Sequence, residues 1–125
     1  MTPEPFNRWL PGATYRVTFL RVLNPLTIGV SWTDPLDSRP YILHVHLAGL
    51  APLELWPNPN RRPITVIDYL RSLLRDKPVY VIPKTASPDV YGTILARVAT
   101  EAEHDISAAL VRDGWALPKI ERFRA

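Results

Sequence analysis

Fourteen prolines in 125 residues set the scale of anything this chain can fold into. They are scattered, and nearly all stand between apolar runs. Proline lacks a backbone N–H and fixes φ, so it interrupts helices and central strands. The chain is therefore punctuated into short elements joined by turns. It has no low-complexity tract and no internal repeat. At this length it forms one domain, long enough to bury a core without covalent staples. Cysteine is absent, which excludes a disulfide framework and a thiolate metal site and leaves the redox compartment open. With 46% hydrophobic and 22% charged residues, the balance is that of a soluble globular domain and argues against general disorder.

Residues 1–12 form a Pro-rich, irregular arm with Phe6 and Trp9 as apolar anchors, ending at Pro11-Gly12. From Ala13 to Val22, Tyr15, Val17, Phe19 and Arg21 alternate with Arg16, Thr18 and Leu20, the period of a strand. Asn24-Pro25 makes a turn, and Leu26 to Trp32 forms a second strand with Ile28, Val30 and Trp32 on one face. After a loop at Asp34–Ser38, Pro40 to Leu50 reads as a third strand. Tyr41, Leu43, Val45 and Leu47 take one side of it; Ile42, His44, His46 and Ala48 take the other. A long Pro-rich loop covers 51–63, and a helix follows in which Val66, Ile67, Leu70, Leu73 and Leu74 share one stripe, with Arg71 and Arg75 opposite. Pro78 stops it. Val79 to Ile82 and Val90 to Ala99 are the fourth and fifth strands. Asp105 caps a last helix, Ile106, Ala109 and Leu110 form its apolar face, and Gly114 ends it. The order β-β-β-α-β-β-α, with five short antiparallel strands, is the plan of a β-rich α+β domain, the five-stranded Greek-key barrel or OB-fold. That domain spans 13–118, between the arm at 1–12 and a basic tail at 119–125.

No window reaches the roughly 18 consecutive apolar residues of a membrane span. Met1-Thr2-Pro3-Glu4-Pro5 lacks the basic start and apolar run of a secretory signal, so an intracellular setting is expected. A net charge of +3 permits contact with nucleic acid without demanding it.

Three segments carry a resemblance. Asp89-Val90-Tyr91-Gly92-Thr93 is similar to a D-x-Y-G-R turn and strand. The run Asp105 to Ala116 is similar to a closing helix with the pattern N-x-x-L-V-x-x-G-x-A. Val45-His46-Leu47-Ala48-Gly49-Leu50-Ala51-Pro52 is similar to a V-R-L-x-G-I-D-A-P strand end. In this order and spacing they resemble the staphylococcal-nuclease family, from about Tyr15 to Pro118. The resemblance implies a calcium-dependent phosphodiesterase whose chemistry this chain has lost. The family's calcium turn, V-x-D-G-D-T, corresponds to Val22-Leu23-Asn24-Pro25-Leu26-Thr27, so its two aspartates become Asn24 and Leu26. Gly49-Leu50-Ala51-Pro52 is one residue short and holds no Asp. A hard divalent cation needs several oxygen ligands. The two family arginines that neutralise the phosphate in the transition state correspond to His46 and Thr93. Glu54 falls near the family's general base. No catalytic residue and no cofactor is expected, and the chain reads as an inactive nuclease-like domain.

Other residues invite chemistry. His44 and His46 share a strand face, but with only His104 elsewhere they read as polar residues on the less buried side. Glu101, Glu103 and Asp105 read as a solvated loop and helix cap. Arg61, Arg62, Arg71, Arg75 and Lys77 are candidates for a basic nucleic-acid patch, with Trp56 and Tyr69 as possible stacking partners. Phe6, Trp9, Trp56 and Trp115 are candidates for a protein interface, where tryptophan is enriched. The leading expectation is a non-catalytic binding module or accessory structural subunit that assembles with protein. The alternative is an RNA- or DNA-binding barrel without nuclease activity.

Overall fold

The computed structural model describes residues 6–56, 63–85, 88 and 92–119, with no side-chain detail at 63–65. Five strands, β1 (Tyr15–Asn24), β2 (Thr27–Thr33), β3 (Pro40–Leu47), β4 (Val79–Pro83) and β5 (Thr93–Ala99), close into a barrel in the order β1-β2-β3-β5-β4. Helix α1 (Pro63–Leu74) lies between β3 and β4, and α2 (Ile106–Arg112) follows β5. The β-rich α+β barrel expected from the sequence is what forms, in the expected element order. One pairing differs from the all-antiparallel expectation: β3 and β5 run parallel, while the other four pairs are antiparallel. Parity requires it. A ring with an odd number of strands cannot alternate direction all the way round.

Inward residues follow the period of two. Ile28, Val30 and Trp32 of β2 meet Leu43, Val45 and Leu47 of β3, with Ile94, Ala96 and Val98 of β5 and Val79 and Val81 of β4 completing the interior, all buried. Each fully buried Val, Leu or Ile contributes roughly 1.5–3 kcal/mol relative to exposure. Strand β1 departs from strict alternation. Phe19 pairs with Val30, but Arg21, not Leu20, pairs with Gly29. Leu20 is thus the extra residue of a β-bulge; the faces exchange beyond it as far as Val22, and a second shift at Leu23 restores them, so that Asn24 pairs with Thr27. Arg21, which alternation alone places with Tyr15, Val17 and Phe19, turns outward as a result. Strand β3 also ends earlier than its apolar run, because Gly49 takes φ +86° and turns the chain.

Helix α1 begins at Pro63, a residue suited to a first turn whose N–H needs no partner. It buries Val66, Leu70 and Leu74, one residue per turn of its apolar stripe. At α2, the Asp105 carboxylate accepts from the Ser107 N–H at 2.9 Å. Gly114 at φ +79° lets the Trp115 N–H reach the Leu110 carbonyl at 2.8 Å, closing the far end. The helices are tied together by the Tyr69 hydroxyl, which donates to the Asp113 carboxylate, and by the Tyr69 and Trp115 rings at 5.3 Å. Arg112 holds Glu103 through two hydrogen bonds of 2.8 and 3.1 Å.

The arm is part of this packing. Trp9, expected at an interface, is 2% exposed and belongs to the core. It stacks on Tyr15 at 5.0 Å and meets Trp32 edge-on at 5.7 Å, with Phe6 against both tryptophans. Among the described residues its indole N–H has no hydrogen-bond partner, which costs about 1–3 kcal/mol. Burying the ring removes about 150–250 Å² from water, worth about 4–6 kcal/mol at 25 cal/mol per Å². Burial wins. Arg8 secures the segment, reaching the buried Asp34 at 2.9 Å and standing over the Tyr41 ring at 5.1 Å.

Two measurements check this account. Trp9→Ala is expected to cost about 3–5 kcal/mol in urea denaturation; a loss below about 1 kcal/mol would place the arm outside the cooperative core. Burial, and then the bond to Asp113, pushes Tyr69 up to about 12. A raised phenol stabilises the fold below the unfolded value near 10, and that contribution is lost as pH rises toward about 12. Tyr69→Phe should flatten the fall in stability over this window, read by thermal melts at stepped alkaline pH.

Candidate binding face on the barrel exterior

None of the residues in the five strands is acidic. The register arranges the outward residues of β1, β2, β3 and β5 in rows. Thr18, Ser31 and Ile42 form one row. Arg21, Gly29, His44 and Thr93 form the next. Asn24, Thr27, His46 and Leu95 form the third. Lys84, exposed just beyond β4, joins the third row through its N–H to the Leu95 carbonyl at 2.8 Å. Ile42 is 70% exposed and Leu95 38%, on either side of the His44–Thr93 pair.

Gly29 shapes this face. A Cβ there would meet the Arg21 side chain at 3.5 Å, so the arginine stem lies across β2 where a side chain is missing. The glycine is buried beneath it. The guanidinium therefore sits on the sheet exterior, on the row that leads to His44.

The structure brings Asn24, His46 and Thr93 onto this one face, with Leu26 at its edge. Asn24, Leu26 and His46 each make a local contact. The Asn24 side-chain oxygen accepts from the Leu26 N–H at 2.9 Å and so closes the β1–β2 turn. Leu26 packs its side chain against the core. His46 Nδ1 lies 3.4 Å from Thr27 Oγ1. The strands bring no carboxylate here to hold a cation or orient an imidazole. Glu54 lies exposed on a short 3-10 turn, Leu53–Leu55, outside the strands. Among the described residues, no three His, Asp or Glu side chains gather to hold a metal.

The other sequence candidates fall elsewhere. Arg61 and Arg62 lie outside the described residues. Arg71 pairs with Asp68 at 3.0 Å on the exposed side of α1, and Arg75 with Asp76 at 3.7 Å just past its end. Lys77 donates to the Ser72 and Leu73 carbonyls at 3.1 and 3.5 Å, capping the negative end of that helix. Arg71 and Lys77 thus serve α1 locally, and Arg75 pairs with its neighbour just past the helix end. Phe6 is half-buried in the aromatic cluster, Trp56 is half-buried with its indole N–H on the Ala51 carbonyl at 2.9 Å, and Trp115 is half-buried against Tyr69. None of the described candidate aromatics forms an exposed patch. Arg21, Ile42, Lys84 and Leu95 were not singled out by sequence reasoning. The absence of acids in all five strands is a signal that could have found the face.

The geometry at Gly29 is open to test. A methyl group there makes only ordinary contact with Arg21, and strand glycine carries extra unfolded-state entropy. Gly29→Ala is expected to keep the fold and raise stability by about 0.4–1 kcal/mol. A lower melting temperature would mean that Arg21 cannot yield. Compared with known proteins, the chain matches no protein-family model and none of the curated proteins.

Proposed function

We propose that this chain is a catalytically degenerate relative of the staphylococcal-nuclease-like barrels that works as a protein-binding module, an accessory subunit of a larger assembly. Its contact surface is the outer face of β2, β3 and β5. The observation that carries the reading is the pair of exposed aliphatic residues, Ile42 and Leu95, set on a rigid sheet face beside polar and cationic groups. Interfaces combine such an apolar centre with a polar rim. Placement on strands rather than loops keeps the surface preorganised, which lowers the entropic cost of docking.

Nucleic-acid binding is the second reading, favoured by the acid-free strands and by Arg21 and Lys84. Single-stranded nucleic acid is held largely by stacking on aromatic side chains. Among the described residues of this face there is no Phe, Tyr or Trp. That difference ranks protein first. Loss of nuclease activity is supported by Leu26, a side chain with no oxygen to offer a hard cation, and by the substitution of both arginine positions.

A gentle tagged purification from the native cell, with mass spectrometry before and after RNase and DNase, tests the reading. A fixed set of proteins is expected to survive nuclease and to be lost with Ile42→Asp. Partners that disappear on digestion, with nucleic acid recovered beforehand, would reverse the ranking. Calcium-dependent cleavage abolished by chelator would overturn the non-catalytic assignment.

A further inference from the structure

Resting on the protein-binding reading, we propose that the partner presents an extended, acidic segment that also carries aliphatic side chains, laid across the β1-β2-β3-β5 exterior from Arg21 toward Lys84. Among the described residues, the charge on this face has one sign. Arg21 stands at one edge, Lys84 at the other, and His44 and His46 lie between them. No strand residue is an Asp or Glu. Among the described residues, Arg21 and Lys84 have no ion-pair partner, whereas Arg8, Arg71, Arg75 and Arg112 all do. A cation left without a counter-charge favours an anionic ligand by complementarity.

The apolar component narrows the ligand. Ile42 and Leu95 flank the His44–Thr93 pair, so a bound segment must meet aliphatic surface between the cationic edges. A phosphodiester backbone has no aliphatic groups to match it. A peptide does. In extended form it sends alternate side chains to opposite faces, so one face can carry acidic and aliphatic residues together. Adjacent strands lie about 4.8 Å apart, so four steps from β1 to β4 span at most about 19 Å, or about six extended residues at 3.3 Å each. A short linear segment is therefore sufficient.

The probe is a fluorescent peptide of about twelve residues, twice the crossing length, in which Glu alternates with Val. Its binding to the full chain is followed by fluorescence anisotropy, beside a twin with Lys for Glu, a twin with Ser for Val, and an oligothymidylate of similar length. The Glu/Val peptide is expected to bind and both twins to fail. Arg21→Glu and Lys84→Glu should each weaken it by about fivefold or more, and raising salt from about 50 to about 200 mM should weaken it further. Circular dichroism checks that each variant is folded; should Arg21→Glu unfold, Lys84→Glu and Ile42→Asp decide. Equal binding of the Lys twin, or indifference to all three substitutions, would overturn the proposal. So would oligothymidylate binding that Arg21→Glu abolishes while the peptide does not bind. If native protein partners survive nuclease yet the Glu/Val peptide does not bind, the acidic assignment alone fails. If the native partners are nucleic acid, the protein-binding reading fails with it.

Discussion

Five strands joined in a ring must contain one parallel pair, and here it is β3 with β5. A parallel pair cannot be joined by a hairpin and needs a long crossover. The chain between Leu47 and Thr93 supplies it, and within that stretch lie α1 and β4. The crossover accomplishes two things at once. It brings α1 to bury Val66, Leu70 and Leu74, and it sets β5 beside β3 so that His44 faces Thr93 and His46 faces Leu95. Without closure at this seam the barrel would present open strand edges, whose unpaired backbone groups invite association.

The barrel divides its residues by charge as well as by polarity. Its interior is aliphatic, and its outward strand positions carry Arg, His, Thr, Ile and Leu but no carboxylate. The acids described in the structure sit in helices and connections, where several have structural work. Asp34 anchors Arg8, Asp105 caps α2, and Glu103 and Asp113 hold Arg112. The Arg112 hydrogen bond holds the Glu103 carboxyl below its ordinary range, and Arg112 and Tyr69 together do the same for Asp113. A net charge of +3 is thus concentrated in effect on the strand surface rather than spread evenly.

Much of the fold was legible because both periodicities were clean. Ile28, Val30 and Trp32, and Leu43, Val45 and Leu47, alternate without interruption, and each set is buried as its pattern implies. The stripe of α1 and the Asp105 and Gly114 signals of α2 are equally local, since capping depends on a few adjacent residues. The aromatic arm was misjudged for a physical reason. A tryptophan in an irregular, Pro-rich segment has no periodicity to reveal its direction, and only Tyr15 and Trp32 show that a place in the core awaits Trp9. The same limit hid the candidate face. Its rows join residues from four strands, and their neighbours are set by register rather than by spacing along the chain.

Element order, core-facing residues and helix ends follow from the sequence by itself, because each rests on local chemistry or a short period. Tertiary structure alone decided the parallel β3–β5 seam, the burial of Trp9 and the outward turn of Arg21. The last depends on one unpaired residue, Leu20, which exchanges the faces of β1 at Arg21 and Val22. A bulge is defined by the strand across the ladder, where Gly29 pairs with Arg21 and leaves Leu20 unpaired. No reading of β1 alone contains that strand.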